Sequence, residues 1–264
     1  MSASILSSGW MSKQLSGEAW PDAKEEDLPN LALFDFDGTI TTADTFTPFI
    51  RYAVDSRRMR LGTVLLSPLI VAYRIGLIHA SPVRASIVRF GFSGRKESEV
   101  RELGSDYARR FFPSVVRPKA LERIRWHMGR GDKVVIVSAS LDVYLSEWST
   151  NLGIDLICTE LETREGICTG RYRPRDCTGN EKARRISEEY DLKLYSVIYA
   201  YGDTKDDEAM LSLANKKYFR WQEVSEANVS ASFATGRIDP NRDMPLKEIE
   251  QENASLDALV AQQL

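Results

Sequence analysis

At 264 residues, with a formal net charge of −3 and 28% charged residues, the chain has the composition of a soluble globular protein, long enough for one large domain or a core domain with an insertion. Three cysteines, Cys158, Cys168 and Cys177, form no Cys-x-x-Cys pair and are odd in number, which argues against a disulfide framework and makes a reducing, cytoplasmic setting the expectation. Only His79 and His127 are present, so a histidine-rich zinc site is not expected, and each reads as a surface or partly buried structural residue.

Charge is distributed unevenly. Residues 1–30 carry five acids against two lysines, and residues 223–264 carry eight acids against three bases. Between Asp44 and Ala120 the balance reverses to fourteen Lys/Arg against six Asp/Glu. A basic segment in an acidic chain points to an anionic ligand or surface; nothing points to nucleic acid.

Residues 1–30 show no periodicity and no basic stretch followed by an apolar core. They read as a mobile extension rather than a secretory leader. The first strand is expected over about 31–36, where an apolar run ends abruptly in Asp35 and Asp37, followed by Gly38 and a cluster of threonines. From Thr45 to Pro118 the pattern is helical, with helices expected over 46–56, 59–78, 82–90 and 97–111. Ser81-Pro82 reads as an N-cap followed by proline at the first helical position. Residues 44–118 thus form a predicted all-helical cap inserted after the acidic strand.

Within it, residues 61–73 are uncharged. As a helix they would span about 20 Å, too short for the ~30 Å hydrocarbon core of a bilayer, and they include Pro68. The stretch reads first as a buried cap helix. The alternative is an interfacial segment that places Arg57, Arg58 and Arg60 against anionic headgroups, giving peripheral contact with the inner membrane.

Strands and helices then alternate: a helix over 119–130, a strand 133–137 ending in Ser138-Ala139-Ser140, a helix 142–151, a strand 155–161 within a hairpin across about 157–173, a helix from 179–182 to Tyr190, a strand 194–201 running into Gly202-Asp203, a helix 206–213, and a last strand 217–221. Such alternation predicts an α/β fold, a doubly wound parallel sheet over residues 31–43 and 119–222. Residues 223–264 read as a polar extension with an amphipathic helix over 246–259.

Four signals stand in order: Asp35-Phe-Asp37-Gly38-Thr39, Ser138, Lys182 and Gly202-Asp203-x-x-x-Asp207. The C-terminal ends of parallel strands share one edge, so these groups can converge. Four carboxylates around one cleft cannot all stay ionised without positive charge. The Lys182 ammonium and a hard divalent cation such as Mg²⁺ would supply it, and Ser138 adds a donor for a phosphoryl oxygen.

This ordered set resembles the haloacid dehalogenase superfamily of phosphohydrolases, and the helical insertion resembles the cap of its phosphoserine-phosphatase-like branch. Within that branch the pattern is similar to phosphatidylglycerophosphatase C-like proteins. The resemblance implies a Mg²⁺-dependent phosphomonoesterase in which Asp35 attacks phosphorus to form an aspartyl-phosphate and Asp37 shuttles the proton. Asp35, the Asp37 backbone carbonyl, Asp203 and Asp207 would hold the metal. Gly38, Thr39, Ser138, Ala139 and Lys182 would hold the phosphoryl group, and Asp44 would meet the substrate or orient the cap. The substrate expected is an anionic small-molecule or lipid phosphate. Gly38 stands where phosphoserine phosphatases usually carry serine, which weighs against phosphoserine itself. Two other readings use the same residues: a phosphotransferase or phosphomutase, and a non-catalytic Mg²⁺- or phosphate-binding interaction protein. A glycosyltransferase of the Asp-x-Asp type fits poorly.

Overall fold

The computed structural model describes residues 28–225; the readings for residues 1–27 and 226–264, including the helix over 246–259, lie outside the described residues. Seven strands form one sheet in the order β4–β3–β2–β1–β5–β6–β7: β1 (Leu31–Phe34), β2 (Lys133–Leu141), β3 (Asp155–Arg164), β4 (Ile167–Arg173), β5 (Ile198–Gly202), β6 (Lys216–Phe219) and β7 (Gln222–Val224). The five inner strands run parallel, and antiparallel pairs close both edges. β1 lies at the centre between β2 and β5. Its unbroken apolar sequence follows, because a central parallel strand is covered on both faces. Ala32 and Phe34 join the cluster on one side of the sheet, Leu31 and Leu33 that on the other, as the two-residue repeat of a strand requires.

Pro29 and Asn30 belong to this framework rather than to a mobile extension. The Pro29 carbonyl accepts from Ser196 N–H at 2.9 Å, the Asn30 carbonyl accepts from Lys133 N–H at 2.8 Å, and the Asn30 amide donates to Asp132 Oδ1 at 2.8 Å.

Several other boundaries differ from expectation. β2 continues through Leu141 with an irregularity between Ser138 and Leu141. β3 runs on to Arg164; its first half pairs with β2 and its second half with β4, forming the expected hairpin. β5 begins only at Ile198, after a short 3₁₀ turn at Leu192–Leu194.

The inserted block comprises α1 (Phe46–Ala53), α2 (Ser56–Arg74), α3 (Ala80–Phe92) and α4 (Glu97–Val115). The core helices are α5 (Pro118–Gly129), α6 (Asp142–Leu152), α7 (Asn180–Glu189) and α8 (Glu208–Ser212). α3 starts two residues before expected, with His79 rather than Ser81 in the N-cap position. α2 passes through Pro68 without stopping.

The two linkers between block and core lie side by side. Thr41 bridges Val116, Thr42 N–H donates to the Val115 carbonyl at 2.8 Å, and Arg117 reaches the carbonyls of Thr41 and Gly38 at 3.1 and 3.3 Å. Beyond them the block and the sheet share one core: Phe46, Phe49, Phe92, Tyr107 and Phe112 belong to the same cluster as Phe34, Ile136 and Leu141. The tightest approach is between α4 and α6. A Cβ on Gly104 would lie 2.1 Å from the Val143 carbonyl oxygen, so only glycine fits there. The β3–β4 hairpin grips the block from the other side. Gly94 N–H donates to the Cys168 carbonyl at 2.9 Å, and Cys168 N–H returns a bond to Arg95 at 2.8 Å.

The uncharged stretch of α2 is not the buried helix expected first. Gly62 is its one buried residue, and Leu61, Val64, Leu65 and Val71 lie exposed.

Candidate active site

The chain turns sharply after β1. Gly38 takes φ +84°, in the left-handed region, and a Cβ there would sit 2.2 Å from Asp203 Oδ2. Glycine therefore answers two demands, the turn and the close approach of the β5 loop. Gly202 answers the second demand alone, since its Cβ would fall 2.5 Å from Cβ of Asp207.

These turns bring Asp35, Asp203 and Asp207 together, with one oxygen of each within 4.8 Å of the others. Lys182, from the first turn of α7, is buried between them and donates to Asp35 Oδ1 at 2.5 Å and to Asp207 Oδ1 at 2.6 Å. The second oxygen of Asp207 accepts from the N–H groups of Asp203 and Thr204 at 3.1 and 3.0 Å, closing a capping box with Thr204. Thr39 donates to Asp203 Oδ1 at 3.2 Å.

Three carboxylates thus face one ammonium, and the electrostatics record the imbalance. Burial, then the charge of Asp207, raises the pKa of Asp35 well above the carboxylate range, and Lys182 only partly reverses this. Burial and Asp207 push Asp203 up to about 7. A hard divalent cation fits this donor set: three convergent carboxylates with surplus negative charge and no histidine or thiolate among them.

Asp37 points elsewhere. Its Oδ1 accepts from the backbone and hydroxyl of Thr45 at 2.7 and 2.6 Å, and its Oδ2 accepts a short bond from Ser140. Burial first, then the charge of Asp44, raises its pKa; the bonds from Ser140 and Thr45 oppose the shift. Ser138 is buried one strand away, its Oγ accepting from Ser140 N–H at 3.0 Å. The Ala139 carbonyl accepts from Arg84 of α3 at 2.6 Å. Asp44 is exposed and caps α1, accepting from Phe46 and Thr47 N–H at 3.1 Å each; its charge reaches Asp37, and its carboxylate is held by the helix.

Sequence reasoning passed over Thr45, Ser140 and Arg84. Ser140 had a readable signal, because Ser-x-Ser on a strand puts both hydroxyls on one face. Arg84 leads to a second feature. Among the described residues, the buried side-chain polar atoms without a hydrogen-bond partner are Arg84 Nε, Tyr144 OH, Tyr172 OH and Asp176 Oδ2. They are neighbours: burial lowers the Arg84 pKa, but Asp176, then Tyr172, Tyr144 and Asp37, more than reverse it. Near Asp37, then, lies a cluster of buried polar side chains.

The haloacid dehalogenase-like hydrolase family model matches residues 32–212, and the span holds every group just described. The chain belongs to that family. It is therefore an enzyme of a hydrolase family. Among curated proteins it is similar to Protein CicA of Caulobacter vibrioides, at 32% identity over 215 residues, 80% of this chain and 95% of CicA. Among solved structures it is similar to a protein of unknown function from Bordetella pertussis Tohama I, with a TM-score of 0.62 at 20% identity, covering 81% of this chain and 99% of that one. A substrate-bound phosphoserine phosphatase gives a TM-score of 0.52 at 20% identity, covering 75% and 87%. At such identities the structures show the fold, the expected Rossmann-like sheet of the family's phosphoserine-phosphatase-like members.

Proposed function

We propose that this chain is a Mg²⁺-dependent phosphomonoester hydrolase working through an aspartyl-phosphate at Asp35. The observation that carries the reading is the buried ammonium of Lys182 held between Asp35 and Asp207, with Asp203 beside them, at the sheet edge where Asp37 also emerges. Asp35, Asp203 and Asp207 would hold the cation with the Asp37 carbonyl; bound there, it would neutralise carboxylate and phosphoryl charge.

Asp35 is engaged by Lys182 through Oδ1, and among the described residues no hydrogen bond reaches Oδ2. Oδ2 attacks phosphorus, and the bond from phosphorus to the ester oxygen breaks. Asp37, whose raised pKa suits a general acid, gives its proton to the departing alkoxide. Asp37 then takes a proton from water as the water oxygen attacks phosphorus and the bond to Asp35 breaks, releasing phosphate. Ser138 and Lys182, with the loop from Gly38 to Thr39, hold the phosphoryl oxygens; this positioning and charge neutralisation carry most of the catalysis.

The substrate is an anionic small-molecule or lipid phosphate. The buried polar cluster around Arg84 lies on the side of Asp37, which serves the leaving group, and favours a leaving group bearing further polar groups.

The test is phosphate release by the purified chain with Mg²⁺ across soluble and lipid monoesters. Turnover with at least one class is expected, together with its loss in Asp35→Asn. Failure on the whole panel, or an active Asp35→Asn, overturns the proposal. Beryllofluoride trapping at Asp35 reports the intermediate directly.

A further inference from the structure

Helix α2 leaves an apolar face open. Leu61, Val64, Leu65 and Val71 fall on one side of it, 55%, 71%, 59% and 54% exposed, at the spacing of a helical stripe. Tyr73, Ile75 and Leu77 continue the surface past the helix end, and these seven make up most of the eleven exposed large hydrophobic residues among those described. The opposite side is committed to α3, where a Cβ on Gly62 would lie 2.8 Å from the Phe90 ring. The helix has 19 residues, about 28 Å of length, so the open stripe is larger than scattered surface hydrophobes explain.

Its chemistry narrows the partner. From Ser56 to Lys96 the sequence holds no Asp or Glu and eight Lys/Arg. Arg57 and Arg60 stand exposed at one end of the stripe and Arg74 at the other. Thr63 and Ser67 turn their hydroxyls onto the carbonyls of Met59 and Val64 at 2.9 and 2.8 Å, so neither carries an unsatisfied donor outward. A protein partner offers a rim of mixed charge. An anionic leaflet is apolar within and negative throughout its rim, which matches a stripe whose flanking charges are cations apart from Asp55, whose carboxylate is turned back onto the Arg57 and Arg58 N–H groups as the N-cap of α2. Among the described residues no helix is long and apolar enough to cross a membrane; α2 would lie along the surface.

We propose that the outer face of α2, with residues 73–77, seats in the interfacial layer of an anionic lipid bilayer. Leu61, Val64, Leu65 and Val71 enter the acyl boundary, and Arg57, Arg60 and Arg74 reach the lipid phosphates. The inference is independent of the catalytic reading, since none of these residues touches the carboxylate cluster.

The full chain is floated with vesicles of phosphatidylcholine, with or without phosphatidylglycerol. Binding is expected to the anionic vesicles alone and to weaken with salt. The double variant Val64→Asp/Leu65→Asp should bind about tenfold more weakly or worse, and each of Arg57→Ala, Arg60→Ala and Arg74→Ala about fivefold more weakly. Circular dichroism and melting temperature should stay at wild-type values, because the altered side chains are exposed. An environment-sensitive dye on Leu65→Cys can be placed selectively, since Cys158, Cys168 and Cys177 are buried. It should emit as in water in free protein and shift to the blue on anionic vesicles. Absence of flotation, equal binding to neutral vesicles, or full binding by the double variant overturns the proposal. So does a dye already shifted without lipid: dependence on protein concentration would identify a second copy on the stripe, and independence a segment of the chain itself.

Discussion

The two acids that end β1 differ by what reaches them. Asp35 faces Lys182 and two further carboxylates, whereas Asp37 is held by Thr45 and Ser140 under the inserted helices. Asp37→Asn keeps the shape and most of the hydrogen bonding but removes the proton, so kcat should fall by about 10²–10⁴ while the protein stays folded; steady-state kinetics beside melting curves check this. Lys182→Met is expected to do the reverse damage as well, by stranding Asp35 and Asp207 as buried charges. Urea unfolding of the metal-free protein should show about 3–5 kcal/mol lost, partly recovered when Asp207→Asn is added. The acids and Lys182 were legible because each sits at or just beyond an element end marked by a local change of pattern, and Ser138 because the apolar run of β2 gives way to small polar residues there, although the strand itself goes on to Leu141. Thr45, Ser140 and Arg84 were not singled out, because a single hydroxyl or arginine acquires meaning only when folding sets it against Asp37 or a carbonyl.

At the scale of elements, the sequence marks where helices and strands exist better than where they end. β2 overran its expected end because the chain stays extended past Ser138 and pairs with β3 again at Leu141, opposite Thr159, across an irregularity; polarity there reflects the site, not a loop. β7 went unread because three residues leave no periodicity to detect. The uncharged run of α2 was read first as buried on composition alone, yet one face of it remains open; hydrophobicity reports a preference for leaving water, not which surface will provide the shelter. Gly104 shows the opposite case. In sequence it weakens a helix, but in the fold it lets α4 rest on the Val143 carbonyl of α6. Gly104→Ala should therefore destabilise by about 1–3 kcal/mol despite its better helix propensity, measurable as a lower urea midpoint. A stabilised variant would show that the α4–α6 contact yields without cost.

For the whole molecule, motif order was enough to predict one reactive sheet edge, but not how the layers are pinned. His127, expected from sequence to be a surface or partly buried structural residue, is instead fully buried on α5 and ties three parts together. Its Nδ1 lies 2.7 Å from Asp132 Oδ2 and its Nε2 2.9 Å from the Tyr201 hydroxyl, and Tyr201 stacks between Phe34 of β1 and Tyr218 of β6. Asp132 can only accept, so Nδ1 carries the proton and Nε2 accepts from Tyr201: the neutral imidazole satisfies both partners. Burial accordingly lowers the His127 pKa below 6.5, although Asp132 pulls upward. The sign of the linkage follows. Above pH 6.5 both folded and unfolded chains hold a neutral imidazole; as pH falls below that value the unfolded chain takes up a proton that the folded chain resists, so stability declines until the folded pKa is passed. His127→Gln retains a neutral acceptor for Tyr201 but cannot titrate. The stability gap between wild type and His127→Gln should therefore narrow on acidification from about pH 7.5 to about pH 5.5, at a rate no steeper than about 1.4 kcal/mol per pH unit. Urea unfolding at several pH values measures it. A gap that widens on acidification would mean the folded state holds the imidazolium against Asp132, reversing the tautomer and the direction of the Tyr201 hydrogen bond.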